Sequence, residues 1–358
     1  MKKFILYISL ATTLSVFGQI GGTMVFRFLD LPVPARSNAL GGASIAIWDK
    51  DVNLSYGNPA LLNSGTSKQL AFNYVNFISD INYGNFSYAH HVKKYGTFGV
   101  GLNYFDYGKF DGRDEYNVET GKFKAADYSL NLAYAKTLNK DSSFSLGVGL
   151  KTIYSQYFIY QSFANAIDVG LTYHDKKQLT ISLVAKNYGR QWKSFNDGSP
   201  KEALPTNVQF GISKKLPKAP FRFILQYDQL LKWDLTYDDP SAASKTIDPF
   251  TNKPIVKTKK DIRKENRKEG LDKLGRHLTF GTEILLGKNF TLRLAYNIKK
   301  GKEMALSDVK KANGLALGLG FKVYKFHFDY AFSKYALNGN THTIGITTNL
   351  NYFAKKSN

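Results

Sequence analysis

The sequence predicts an all-β protein: a 14-stranded antiparallel outer-membrane β-barrel with an irregular, partly helical N-terminal plug. Three observations carry this expectation. Apolar and polar residues alternate along most of the chain between Phe98 and Phe332. The cleanest case interleaves Phe326, Phe328, Tyr330 and Phe332 with His327, Asp329, Ala331 and Ser333. Successive side chains of a strand point to opposite faces, so such a segment has one oily and one wet face. A chain whose strands nearly all read this way meets lipid outside and water or polar groups inside. Secondly, no segment after the N-terminal one approaches the roughly 18 consecutive apolar residues of a spanning helix. Thirdly, the connections between candidate strands alternate between short and mostly long, as periplasmic turns and outer loops do.

Residues 1–18 read as a secretory signal peptide, with Lys2 and Lys3 ahead of an apolar run from Phe4 to Phe17 and small Gly18 at the cleavage point. The exported chain is then expected in the outer membrane of a Gram-negative bacterium. Residues 19–68 are punctuated by Pro32, Pro34, Gly41, Gly42, Gly57 and Pro59, with a short helix near Ala35–Leu40. That density of Pro and Gly predicts an irregular plug, or hatch.

Residues 69–353 form the barrel. Strand candidates fall at 69–77, 81–91, 96–105, 124–136, 143–155, 163–174 and 179–188, then at 205–215, 220–231, 276–286, 289–298, 312–322, 325–333 and 340–352. Within one of them Gly314, Ala316, Gly318 and Gly320 make a stripe of small side chains. Strand glycines mark close backbone approach, so the stripe is read as a wall for the plug or as relief of crowding in the bore. Asp127, Lys151, Asp168, Arg222, Asp228, Glu283, Arg293 and Asp329 fall on inward positions and are expected to brace the lumen as pairs. A three-residue turn at Gly287–Asn289 sets Glu283 opposite Arg293.

The connection 232–275 is too long for a turn. Its aromatic, acidic first half contains Trp233. Its second half places Lys260, Lys264 and Lys268 at helical spacing beside Asp261, Glu265 and Glu269, with Arg263 and Arg267 between. A charged, solvated helix that docks a partner is the functional reading, and a floppy loop the bland one. Residues 354–358 form a tail.

Composition limits the function classes. Cysteine is absent, which excludes disulfides, a lipidated cysteine and thiolate metal sites. Aromatics are 15% of the chain while mean hydropathy is only −0.30, as suits a barrel with a polar interior. The net charge is +21, or +19 without Lys2 and Lys3, which suits lipopolysaccharide or an acidic partner rather than nucleic acid, or simply solubility. The six histidines show no metal-ligand spacing, and no nucleophile elbow or phosphate loop is present. No enzyme, cofactor or metal site is expected.

The ordered set Phe26–Pro32, Ala35–Ala43, Asp49–Asp51 and Gly57–Leu62 resembles the hatch of FadL-type outer-membrane proteins, most closely that of the PorQ proteins of the type IX secretion system of Bacteroidota and next that of their PorV relatives. Tyr107–Phe110, Gly121–Ala125, Leu204-Pro205, Lys218–Arg222 and Trp233–Leu235 extend the likeness along the mature chain. The resemblance implies a FadL-like barrel whose plug carries Arg36, Gly41, Gly42, Asn58, Pro59 and Ala60. It also implies a non-enzymatic anchor in a surface attachment complex with PorV, the sortase-like PorU and PorZ. A passive transporter of hydrophobic small molecules is the alternative reading.

Overall fold

The computed structural model describes residues 24–139, 143–196, 198–236, 259–303, 313–334 and 339–353. The expected signal peptide, the middle of the 232–275 connection and the tail lie outside the described residues. Fourteen antiparallel strands close into one barrel in sequence order. They are β1 (Gln69–Asn76), β2 (Asn82–Val92), β3 (Gly96–Arg113), β4 (Glu119–Thr137), β5 (Phe144–Tyr157), β6 (Tyr160–His174) and β7 (Leu179–Lys193). The second half comprises β8 (Asn207–Lys215), β9 (Phe221–Tyr227), β10 (Leu278–Leu286), β11 (Phe290–Asn297), β12 (Leu315–Val323), β13 (Phe326–Lys334) and β14 (Asn340–Asn349). The seam is β1 on β14, from Gln69↔Asn349 to Asn76↔His342, so no sheet edge is left unpaired.

The molecule is inside-out relative to a soluble protein. Phe72, Phe86, Leu102 and Leu130 lie side by side across β1–β4 and are all exposed. One residue along each strand, Asn73, Asn85, Asn103 and Ser129 are buried in the bore. Tyr104, Tyr128 and Tyr154 stack across β3–β5 with ring centroids 5.0 and 6.1 Å apart, towards the long-loop end. Phe98 with Tyr134 and Phe144 with Tyr173 form the matching belt near the short turns. Two aromatic belts bounding an apolar band are the signature of a barrel in lipid.

The strand reading needs one substantial change. Residues 106–123 are not a loop; β3 and β4 continue through them as a hairpin that ends at Arg113 and Glu119. Beyond the apolar band both hairpin faces are wet, so alternation stops while the hydrogen-bonded ladder does not. β7 likewise runs past its expected end, to Lys193.

The hatch enters the bore as a chain of single turns: 3-10 turns at Arg27–Asp30, Val52–Tyr56, Pro59–Leu61 and Ser64–Thr66, and the helix α1 (Ala35–Ala39). Asp51, Asn58 and Asn63 each cap the following turn by accepting a backbone N–H. Outside the barrel at the long-loop end lie α2 (Lys259–Arg276) and α3 (Ile298–Glu303). The charged ladder of the long connection is therefore helical, as its spacing predicts.

Candidate functional site

The candidate site is the seat of the hatch in the bore, built from three kinds of contact. The first is ionic. Arg36 on α1 sends Nε to Glu283 Oε1 at 2.9 Å and Nη2 to Oε2 at 2.8 Å, a two-pronged grip from hatch to wall. Its other contacts are Asp49 Oδ2 at 2.6 Å and Asp51 Oδ2 at 3.1 Å, both within the hatch. Glu283 also receives Arg222 at 2.6 Å and Arg293 at 3.0 Å, while Arg222 returns to Asp49 at 2.7 Å and Arg293 continues to Asp329 at 2.5 Å. Glu283 stands directly across from Arg293 in the β10–β11 register, as the turn geometry predicts. Burial works against the Asp49 carboxylate, but the Arg36 and Arg222 guanidiniums outweigh it and hold its pKa below the ordinary carboxylate value. Asp49 and Asp51 enter the sequence reading only as part of the hatch-like set, with no role assigned to them. Their alternation with Lys50 was the available signal.

The second contact is at backbone depth. Asn58 Nδ2 donates to Ile45 O at 2.8 Å and to Thr172 Oγ1 on β6 at 2.9 Å, while its Oδ1 accepts Ala60 N–H at 2.9 Å. Gly147 on β5 and Gly170 on β6 are paired neighbours in the wall beneath this turn. A Cβ on Gly147 would overlap the Pro59–Ala60 peptide, and one on Gly170 would overlap the Asn58 amide. The Asn-Pro-Ala element is thus a key whose lock is two wall glycines that sequence reasoning did not single out. Of the small-residue stripe, Gly318 faces Ala39 of α1, as a wall should, but Gly320 faces Arg293 and Asp329, and Gly314 precedes β12 at φ +81°. Gly41 sits at φ +64° with Thr279 on the wall 3.3 Å from where a Cβ would be. Gly42, at φ +100°, has open space there, so its conformation rather than a close wall requires glycine.

The third contact is apolar. Residues 25–33 fill the long-loop half of the bore, where Phe26, Phe28 and Leu29 pack on Tyr83, Phe105 and Ile153 of the wall. The Phe28 and Phe105 rings are 4.8 Å apart. Phe26 is held in the left-handed region at φ 55°, a strained conformation for a bulky residue.

The remaining lumen charges divide. Lys151 pairs with Asp168 at 2.7 Å and donates to Asn187 at the same distance, on a β6–β7 bulge. Two expected pairs do not form among the described residues. Asp127 is held by the Tyr107 and Tyr157 hydroxyls at 2.5 and 2.9 Å, and Asp228 by the side-chain amides of Gln209 and Gln226 at 2.5 and 2.9 Å. Neutral donors sit closest to both carboxylates, while Lys186 and Lys300 line the same chamber as Asp228.

Water-accessible space lies on both sides of the hatch. A chamber of about 330 Å³ opens at the long-loop end among Arg27, Tyr56, Lys186, Gln209, Asp228 and Lys300. At the short-turn end a vestibule of about 1190 Å³ is lined by Trp48, Asn63, His91, Lys94, Lys136 and His174. Trp48 stacks on His174 with centroids 3.9 Å apart. Among the described residues no group of three or more acidic or histidine side chains is arranged to hold a metal.

The outer ledge carries the remaining candidates. Arg263, Lys264, Arg267 and Lys268 are exposed on α2, which also contains Lys260. Trp233 is exposed, with its carbonyl oxygen 3.0 Å from His277 Nε2. Lys273 bridges Asp234 and Glu269 at 2.8 and 2.6 Å, and Asp272 receives Arg276 and Lys302, tying α2 to α3.

No family model matches the chain, and no curated protein matches it. Among solved structures it is similar to the Ralstonia pickettii toluene transporter TbuX, with 11% identity and a TM-score of 0.51 over 88% of this chain and 98% of that one. It is equally similar to a deletion mutant of the TodX monoaromatic hydrocarbon channel, with 11% identity, a TM-score of 0.51 and coverage of 88% and 98%. The fold is that of the FadL-like outer-membrane barrels. At this identity the likeness concerns the fold.

Proposed function

We propose that this chain is a hatch-gated outer-membrane channel for small hydrophobic molecules. The observation that supports it is the aromatic-rich cluster in the long-loop half of the bore, where the hatch's own Phe26, Phe28 and Leu29 pack against Tyr83, Phe105 and Ile153 of the wall. Aromatic side chains of the hatch stand where an aromatic or aliphatic guest would sit, and the strained Phe26 lowers the cost of displacing them. The similar barrels bear the names of toluene and monoaromatic hydrocarbon carriers, which agrees with this guest class. In the proposed cycle the guest replaces Phe28 against Phe105. The ionic seat around Glu283 then rearranges, and the guest leaves through the vestibule or the wall.

The test uses cells whose lipopolysaccharide leaflet resists apolar solutes. Expression of the protein is expected to raise accumulation of radiolabelled toluene, and Phe28→Ala to raise it further. Accumulation equal to that of cells carrying an empty vector rejects the channel.

A second reading, supported by the firmness of the ionic seat and by the charged ledge of α2 and α3, is an anchor of the type IX attachment complex. On that reading the barrel stays shut and the ledge holds PorZ-like and PorU-like proteins, with PorV as a companion barrel. Affinity capture from mild detergent followed by mass spectrometry decides it, and recovery of the barrel alone rejects it.

A further inference from the structure

The two ends of the barrel carry positive charge in different ways. At the short-turn end, Lys93 and Lys94 lie between β2 and β3, Lys176 and Lys177 between β6 and β7, Lys218 between β8 and β9, and Lys288 between β10 and β11. All six are exposed. Lys322 and Lys325 carry the ring on around the β12–β13 turn. None of these eight lysines has an ion-pair partner among the described residues. The carboxylate in the described short turns is Asp175, and its Oδ1 is engaged by the Leu179 amide at 2.7 Å. At the other end the signs are mixed, as in Lys109, Asp111, Arg113 and Asp114 along the β3–β4 hairpin and in the paired ladder of α2 and α3.

A ring of like charges repels itself unless anions share the site. Its position indicates which anions. The lysines circle the barrel instead of clustering on one flank, and they sit just beyond the short-turn aromatic belt. Lys325 lies 4.6 and 5.1 Å from the rings of Phe353 and Tyr324, whereas Lys322, 5.5 Å from the Tyr352 ring, lines the mouth of the bore with Arg36 and Asp49. These rings are exposed, Tyr324 at 82%. The Lys325 ammonium, leaning on exposed aromatics at the barrel rim, is at headgroup height, where long basic side chains meet phosphates. We propose that this ring binds the phosphate headgroups of anionic phospholipids, of the phosphatidylglycerol type, in the leaflet that faces the short turns. A docked soluble partner would need a patch on one side; an annulus needs a ring. Lipopolysaccharide, the counter-charge suggested by composition, lies in the opposite leaflet. The proposal is independent of whether the hatch opens.

Native mass spectrometry of the delipidated protein in detergent, offered equal phosphatidylglycerol and phosphatidylcholine, tests it. Retention of phosphatidylglycerol is expected to exceed that of phosphatidylcholine about fivefold, equivalent to ~1 kcal/mol, and to fall as salt is raised. A variant with Lys93, Lys94, Lys176, Lys177, Lys218 and Lys288 changed to Gln should lose the preference while keeping heat-modifiable gel mobility. If it does not fold, two three-lysine variants are expected to show graded losses. Changing Lys109, Lys122 and Lys193 to Gln at the other end should leave the preference intact. Equal retention of the two lipids overturns the proposal, as does a preference unchanged in the lysine variants. Binding of soluble polyglutamate through the ring without any lipid preference also overturns it, in favour of an acidic macromolecule.

Discussion

Asn58 concentrates the hatch's dependence on single atoms. Its amide is fully buried, spends both donor directions on Ile45 O and Thr172, and caps the next turn with its oxygen. Asn58→Asp keeps the cap but sets a carboxylate against the Ile45 carbonyl, and each buried unsatisfied polar group costs about 1–3 kcal/mol. The hatch is expected to become protease-sensitive while the barrel still inserts and keeps its heat-modifiable mobility; loss of that mobility would count against this division of labour. Glu283 is the ionic counterpart. Glu283→Gln leaves three guanidiniums around a neutral amide, and removal of one partner from a buried charge cluster costs about 3–5 kcal/mol. Chemical denaturation should register that loss, and Asp329→Asn, at the margin of the cluster, should cost less. Lys300 differs in kind. Burial pushes its ammonium down to about 8, so near that pH roughly half of it is the neutral, nucleophilic amine. Acylation at pH 8 followed by peptide mapping should find Lys300 ahead of the ring lysines in labelling per exposed area.

Elements differ in how far the sequence announced them. The strands were legible wherever lipid lies on one side, because apolar contact outside and polar contact inside impose a period of two. They became illegible above the apolar band, where Lys109, Asp111 and Arg113 continue β3 with water on both faces. The Glu283–Arg293 pair was legible because a short turn fixes its register, and α2 because its charges repeat at helical spacing. Gly147 and Gly170 were not, since what makes them necessary is a hatch turn far earlier in the chain that alternation cannot see. Nor were the tyrosine partners of Asp127, which depend on the stagger between β3, β4 and β5. The hatch as an element has a pH sign. Asp49 titrates below its ordinary value of 3.8, so its contribution is complete above that value and is lost as pH falls through the lowered one. Limited proteolysis should therefore find the hatch protected at pH 7 and progressively exposed as the pH is taken below 3.8, with the barrel's circular dichroism unchanged. The α2–α3 clasp is weaker. Asp272 is only partly shielded, and Asp272→Asn should loosen α3 by under about 1 kcal/mol, seen as faster hydrogen exchange at residues 298–303.

At the scale of the whole molecule, wall and hatch fit by shape as well as by charge. The glycines of β5 and β6 admit the Asn58–Ala60 turn only at backbone depth, while α1 rests on β12–β14 on the other flank of the bore. The hatch leads directly into β1, and β1 closes on β14. These facts bear on the order of assembly. A cork cut to this tolerance cannot be pushed into a finished cask; the staves must be gathered around it. Residues 24–68 supplied separately to an already closed barrel are thus expected not to dock, whereas the two fragments folded together from denaturant should combine.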